Sequence, residues 1–84
     1  MTKETKQILT MDRPANYQIK VSGALDERWA DWNGEIIIAV DSDDEGLSVT
    51  TLTGLLDQAA LQGLMRRLYS LGTPLISVMC LDFR

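Results

Sequence analysis

A chain of 84 residues with 45% hydrophobic content and a formal net charge of −4 has room for one small core and little beside it. The acidic balance argues against a nucleic-acid binder, because affinity for phosphates comes mainly from clustered Lys and Arg. One cysteine and no histidine exclude an intrachain disulfide and remove the side chain most used as a general base near neutral pH.

Residues 1–15 are mostly polar and read as a flexible N-terminal tail, with Ile8, Leu9 and Met11 as its apolar exceptions. The opening "MTKETKQILTMDRP" lacks the apolar core of a signal peptide, and no stretch is long enough to span a bilayer. A cytoplasmic protein is expected, with residues 16–84 forming a single α+β domain.

"NYQIKVSG" alternates, with Tyr17, Ile19 and Val21 against Gln18, Lys20 and Ser22. That is the pattern of a half-buried strand. "LDERWADWNG" then reads as a short helix. Asp26 is its N-cap, Trp29 and Trp32 share one face, and Asn33-Gly34 stops it. "EIIIAV" is a β-branched run expected to be a central strand.

"DSDDEG" follows as a turn. Asp41, Asp43, Glu45 and Gly46 fall at positions one, three, five and six of a calcium loop, but the twelfth is Leu52, where a bidentate Glu is required. A solvated acidic hairpin turn, which also discourages edge-to-edge aggregation, is the better reading. "LSVTTLTG" is the next strand, with Leu47, Val49 and Thr51 alternating against Ser48, Thr50 and Leu52, and with Ser48 and Thr50 expected on the sheet's open face beside Gln18 and Lys20.

The clearest helix follows. Asp57 is its N-cap, and Leu61, Leu64, Met65 and Leu68 form its apolar stripe, continued by Leu71. Arg66 and Arg67 suit its negative end, Gly72 its left-handed C-terminal position, and Pro74 prevents continuation. "PLISVMCLDF" closes the chain as an apolar strand, expected to be central or buried on both faces. Cys80 in this run reads as a small core hydrophobe.

The order β-α-β-β-α-β predicts a ferredoxin-like plait. Its four-stranded antiparallel sheet carries a short first helix and a longer second helix on one face, with the first and last strands as the central pair.

"GALDERWADW" followed by "TTLTGLLDQAALQGLMRRLYSLGTPLISV" resembles a group of small uncharacterised bacterial proteins. Their patterns are G-x-L-D-x-x-W-x-x-W, then T-x-L-x-G-x-x-D-Q-A-A-L-x-G, then L-G-x-P-L-x-S-V. The resemblance implies a shared fold and brings no activity. Similar proteins often carry His where this chain has Gln62, so any role of that His is absent or replaced here.

The residues most open to an interface or ligand role are Trp29, Trp32, Asp57, Gln58, Ala59, Gln62 and Gly63. Two indoles three apart are either core or interface anchors, the favoured reading, or a stacking platform for a ligand. Ala59 and Gly63 are small and four apart. A helical Gly costs about 1 kcal/mol relative to Ala, which suggests close approach of another backbone. Asp57-Gln58 is a first-turn polar pair, and Gln58 can also hydrogen-bond across an adjacent loop. Asp26, Glu27 and Asp31 read as a solvated face. No catalytic group, metal site or cofactor is expected.

These features point to a small non-enzymatic protein-interaction domain that forms a homodimer or binds another protein. The alternative is a small-ligand-binding regulatory module of ACT-like architecture, with "SGALDE" as its ligand loop. A short helix is marginal without tertiary burial, and the indoles are the large groups able to supply it. At least one of Trp29→Ala and Trp32→Ala therefore loses about 3–5 kcal/mol of stability. Urea unfolding followed by far-UV circular dichroism checks this, and unchanged midpoints in both variants would favour the stacking role.

Overall fold

In a computed structural model the described residues are 9–25, 36–42 and 44–82. They form β1 (Ala15–Ser22), β2 (Ile36–Ser42), β3 (Ser48–Leu56), α1 (Gln58–Ser70) and β4 (Leu75–Cys80). The strands make one antiparallel sheet in the order β2-β3-β1-β4.

β1 and β3 are the central pair, matched without interruption from Ala15 opposite Leu56 to Ser22 opposite Val49. Strict alternation sends Ala15, Tyr17, Ile19 and Val21 to one face, where all four are buried. Three rows cross that face. One holds Ile36, Gly54, Tyr17 and Cys80, the next Ile38, Leu52, Ile19 and Val78, and the third Val40, Thr50, Val21 and Leu75. Leu61, Leu64 and Leu68 of α1 pack onto this face and complete the core, with Met65 and Ala60 at its margin. Burial is greatest along β1 and β3 and falls away at the outer strands, where Val40, Leu75 and Val78 are exposed.

The ends of α1 form as the sequence predicts. Asp57 is the N-cap, its Oδ1 accepting from the Ala60 N–H at 2.8 Å. At the C-terminus Gly72 takes φ +74°. Its N–H donates to the Tyr69 carbonyl at 2.9 Å, and that of Thr73 to the Leu68 carbonyl at 3.1 Å. That pair of bonds is a Schellman motif, which satisfies carbonyls the helix would otherwise leave bare.

Several expectations are corrected. The described residues hold four antiparallel strands and one helix, not the two-helix ferredoxin-like plait. The short helix read from "LDERWADWNG" falls largely on 26–35, outside the described residues. The last strand is not central, and neither is "EIIIAV": among the described residues β4 and β2 are the two edges. An apolar run reports affinity for a core, not position in a sheet. In β2 only Ile36 is buried, while Ile37 and Val40 are exposed.

The inward phase of β3 is Thr50, Leu52, Gly54 and Leu56 rather than Leu47, Val49 and Thr51. Leu71 is exposed instead of continuing the helical stripe, because the helix has already ended at Ser70.

Thr50 explains how a polar residue enters the core. Its hydroxyl donates to the Gly23 carbonyl at 2.6 Å and accepts from the Leu25 N–H at 3.1 Å. It thereby fixes the segment leaving β1, where Gly23 takes φ +101° and donates its N–H to the Ser48 carbonyl. Thr50→Val keeps the shape but strands both backbone groups, at a cost of about 1–3 kcal/mol. Thr50→Ser keeps the hydroxyl and loses one methyl, about 1 kcal/mol. Urea midpoints should rank wild type above Ser above Val.

Candidate functional site

Two features of the fold present chemistry to solvent. One is a small polar cluster where α1 begins. Its centre is Tyr17, which points from β1 into the core face with only its hydroxyl in polar company. Gln58 donates from Nε2 to that hydroxyl at 2.7 Å, and the Cys80 thiol, half-buried one strand away in the same row, is in hydrogen-bond contact with it. Burial raises the Tyr17 pKa above its usual 10, Cys80 raises it further by charge repulsion and hydrogen bonding, and Gln58 opposes with a lowering effect.

Beside this cluster the chain is pinned from outside. Asp82 accepts from the Asn16 backbone N–H at 2.7 Å and from its side-chain amide at 3.1 and 3.3 Å. The Gln58 N–H reaches the Met11 carbonyl at 3.4 Å. Thr10, Asp12, Arg13 and Pro14 line a shallow open depression there, with the Thr10 hydroxyl donating to Asp12.

The other feature is the edge strand β4. Leu75, Ile76, Val78, Met79 and Leu81 are each 40–52% exposed. They lie on both faces of the strand: Val78 opposite Ile19 on the core side, Met79 opposite Gln18 on the open side. The sheet's open face itself is mixed. One of its rows runs Ile37, Thr53, Gln18, Met79 and the next Ala39, Thr51, Lys20, Ser77, so apolar groups stand at the row ends except Ser77, with polar ones between them.

Asp57 and Gln58 lie together at the helix start, the first as cap and the second as a strut to β1. Ala59 and Gln62 are exposed on α1 and Gly63 is half-buried. Trp29 and Trp32 lie outside the described residues. Gln58 thus bonds to a strand rather than across a loop. Tyr17, Cys80, Asn16 and Asp82 were not singled out as a polar group by sequence reasoning. They come together from opposite ends of the chain, and no local pattern marks a pairing across 66 positions. Among the described residues no group of three or more His, Cys, Asp or Glu side chains is placed to hold a metal ion, and no helix is long and apolar enough to cross a membrane.

A family model matches residues 16–79, from the second residue of β1 nearly to the end of β4. The chain belongs to DUF8691, a domain of unknown function. The match takes in β1 from its second residue, β2, β3 and the helix. It supplies no activity. Comparison with curated proteins and with solved structures gives no match.

The Tyr17 environment makes a pH prediction. Its phenol loses a proton less readily in the folded chain than in the unfolded one, whose pKa is near 10. The stabilisation is therefore complete below about pH 10 and is lost as pH rises toward and through the folded value. Tyr17→Phe should lower stability by about 1 kcal/mol at neutral pH, since Gln58 loses its acceptor. It should also fall less steeply than wild type as pH rises above about 10. Urea midpoints of both proteins across that range check both parts.

Proposed function

We propose that this domain is a non-enzymatic protein-interaction module that associates with its own kind. The observation that carries the reading is the gathering of five large apolar side chains, Leu75, Ile76, Val78, Met79 and Leu81, half-exposed along one edge strand. Single exposed apolar residues are ordinary, but a contiguous run of them marks a surface that another molecule covers.

Two further points support it. A chain this short buries a modest core alone, and association is a usual remedy. The polar groups near the sheet ends are also largely satisfied inside the fold. The Gly23 carbonyl and Leu25 N–H of the "SGALDE" stretch are both held by Thr50, which leaves that part of the loop little to offer a small ligand. The lack of any histidine counts against acid–base catalysis near neutral pH. With no apolar stretch long enough for a spanning helix, a cytoplasmic setting suits this role.

Sedimentation between about 1 and 100 μM, the range in which modest interfaces assemble, tests the proposal. The weight-average mass should climb from the 9.4 kDa of one chain toward twice that value. A mass fixed at 9.4 kDa throughout would contradict it.

A further inference from the structure

The self-association proposed above leaves its geometry open, and the two edges of the sheet are not equivalent. β2 carries Asp41 and runs into a turn with Asp44 and Glu45. Charges on and beside an edge are a common protection against pairing with another strand. β4 has less of it: Pro74 precedes the strand, and Asp82, which follows it, is turned to Asn16 of β1. Leu75–Cys80 contains no charged residue and no proline, and apart from Ser77 on the open face its side chains are apolar or weakly polar. Among the described residues β4 pairs with β1 alone.

The direction of its backbone groups follows from one bond. The Leu81 N–H donates to the Asn16 carbonyl at 2.7 Å. In an antiparallel ladder alternate residues face the neighbouring strand, so Met79 and Ser77 also turn their N–H and C=O groups toward β1. Val78 and Cys80 turn theirs outward.

We propose that the outer edge of β4 pairs antiparallel with the same edge of a second copy about a two-fold axis, joining two four-stranded sheets into one of eight strands. This rests on the self-association reading. A second copy fits because the edge is self-complementary. Antiparallel pairing sets the outward N–H and C=O groups of Val78 and Cys80 against the equivalent segment, with apolar side chains together on the core side, Met79 beside the small Ser77 on the open side, and no charge to desolvate. An acidic chain would otherwise repel its like, and the uncharged edge keeps the carboxylates of the β2–β3 turn on the far side of each sheet.

The area sets the strength. Five half-exposed side chains offer roughly 400 Å² of apolar surface per copy, of which edge pairing covers only a part. Even with the strand backbone added, the total lies below the ~1,200 Å² at which standard stable interfaces begin. The dimer should therefore be reversible on dilution rather than permanent.

The test combines amide hydrogen exchange of the wild-type chain with sedimentation of two variants. Val78→Pro deletes an outward N–H, the position on an edge strand where proline leaves the existing ladder intact. Ile37→Ser changes the exposed open face instead. The expected result is a wild-type dimer in which the Val78 and Cys80 amides exchange about tenfold or more slowly at high concentration than at low. Val78→Pro should then be monomeric and Ile37→Ser dimeric.

Fast exchange at Val78 and Cys80 in a dimeric protein would overturn edge pairing while leaving self-association standing. So would dissociation by Ile37→Ser instead of Val78→Pro. Slow exchange in a protein of monomer mass would assign the edge to the chain's own segments and overturn the proposal. A wild type that stays monomeric at every concentration removes self-association itself. If Val78→Pro does not fold, the wild-type exchange pattern decides.

Discussion

The ladder between β1 and β3 is the constraint on which the rest of the fold depends. Eight residue pairs in unbroken register leave no freedom in which side chains face the helix. A shift of one residue would carry Tyr17, Ile19 and Val21 to solvent and bring Asn16, Gln18 and Lys20 into the core. With this register fixed, Gly54 sits between Ile36 and Tyr17 and is the one position in its row without a side chain, beside the largest residue of the core face. The same register brings the Tyr17 hydroxyl to the start of α1, where Gln58 meets it, and sets Thr50 below the loop that leaves β1.

Because β1 spends its inner edge on β3 and its outer edge on β4, the last strand ends at the margin of the sheet. α1 covers the centre, and its buried leucines belong to the same core cluster as Ile19 and Leu52. They do not extend far enough to cover Leu75 or Val78. An apolar segment therefore lies where the core thins out, with backbone groups of Val78 and Cys80 directed outward. Function on this reading is a consequence of topology: of the two strands that end the sheet among the described residues, β4 is the one without charge.

Sequence alone revealed the local features well. Alternation placed β1. Asp57, Gly72 and Pro74 bounded α1 because caps and stops act through residues next to them, and the stripe Leu61, Leu64, Leu68 gave its inward face. What it could not reveal was non-local. "EIIIAV" and "LISVMC" look like interior strands, but apolar content is the same whether the neighbour is a strand, a helix or another molecule. The inward phase of β3 is hidden too, because Leu47 and Val49 outweigh Thr50 in hydrophobicity, while Thr50 is admitted by two hydrogen bonds with a loop 25 and 27 positions away. For the site, Asp57 and Gln58 were recognised as a polar pair. Their connection to Tyr17 and Cys80 depends on a strand 41 positions earlier in the chain and has no local signature.

The most direct test of the account is an isotope-filtered nuclear Overhauser experiment on an equal mixture of labelled and unlabelled chains, which detects only contacts between copies. The account predicts cross-copy signals confined to the β4 edge, among residues 76–80, with Val78 at or next to the two-fold axis. Cross-copy signals centred on Ile37 and Leu55 of the open face, with none from β4, would contradict it.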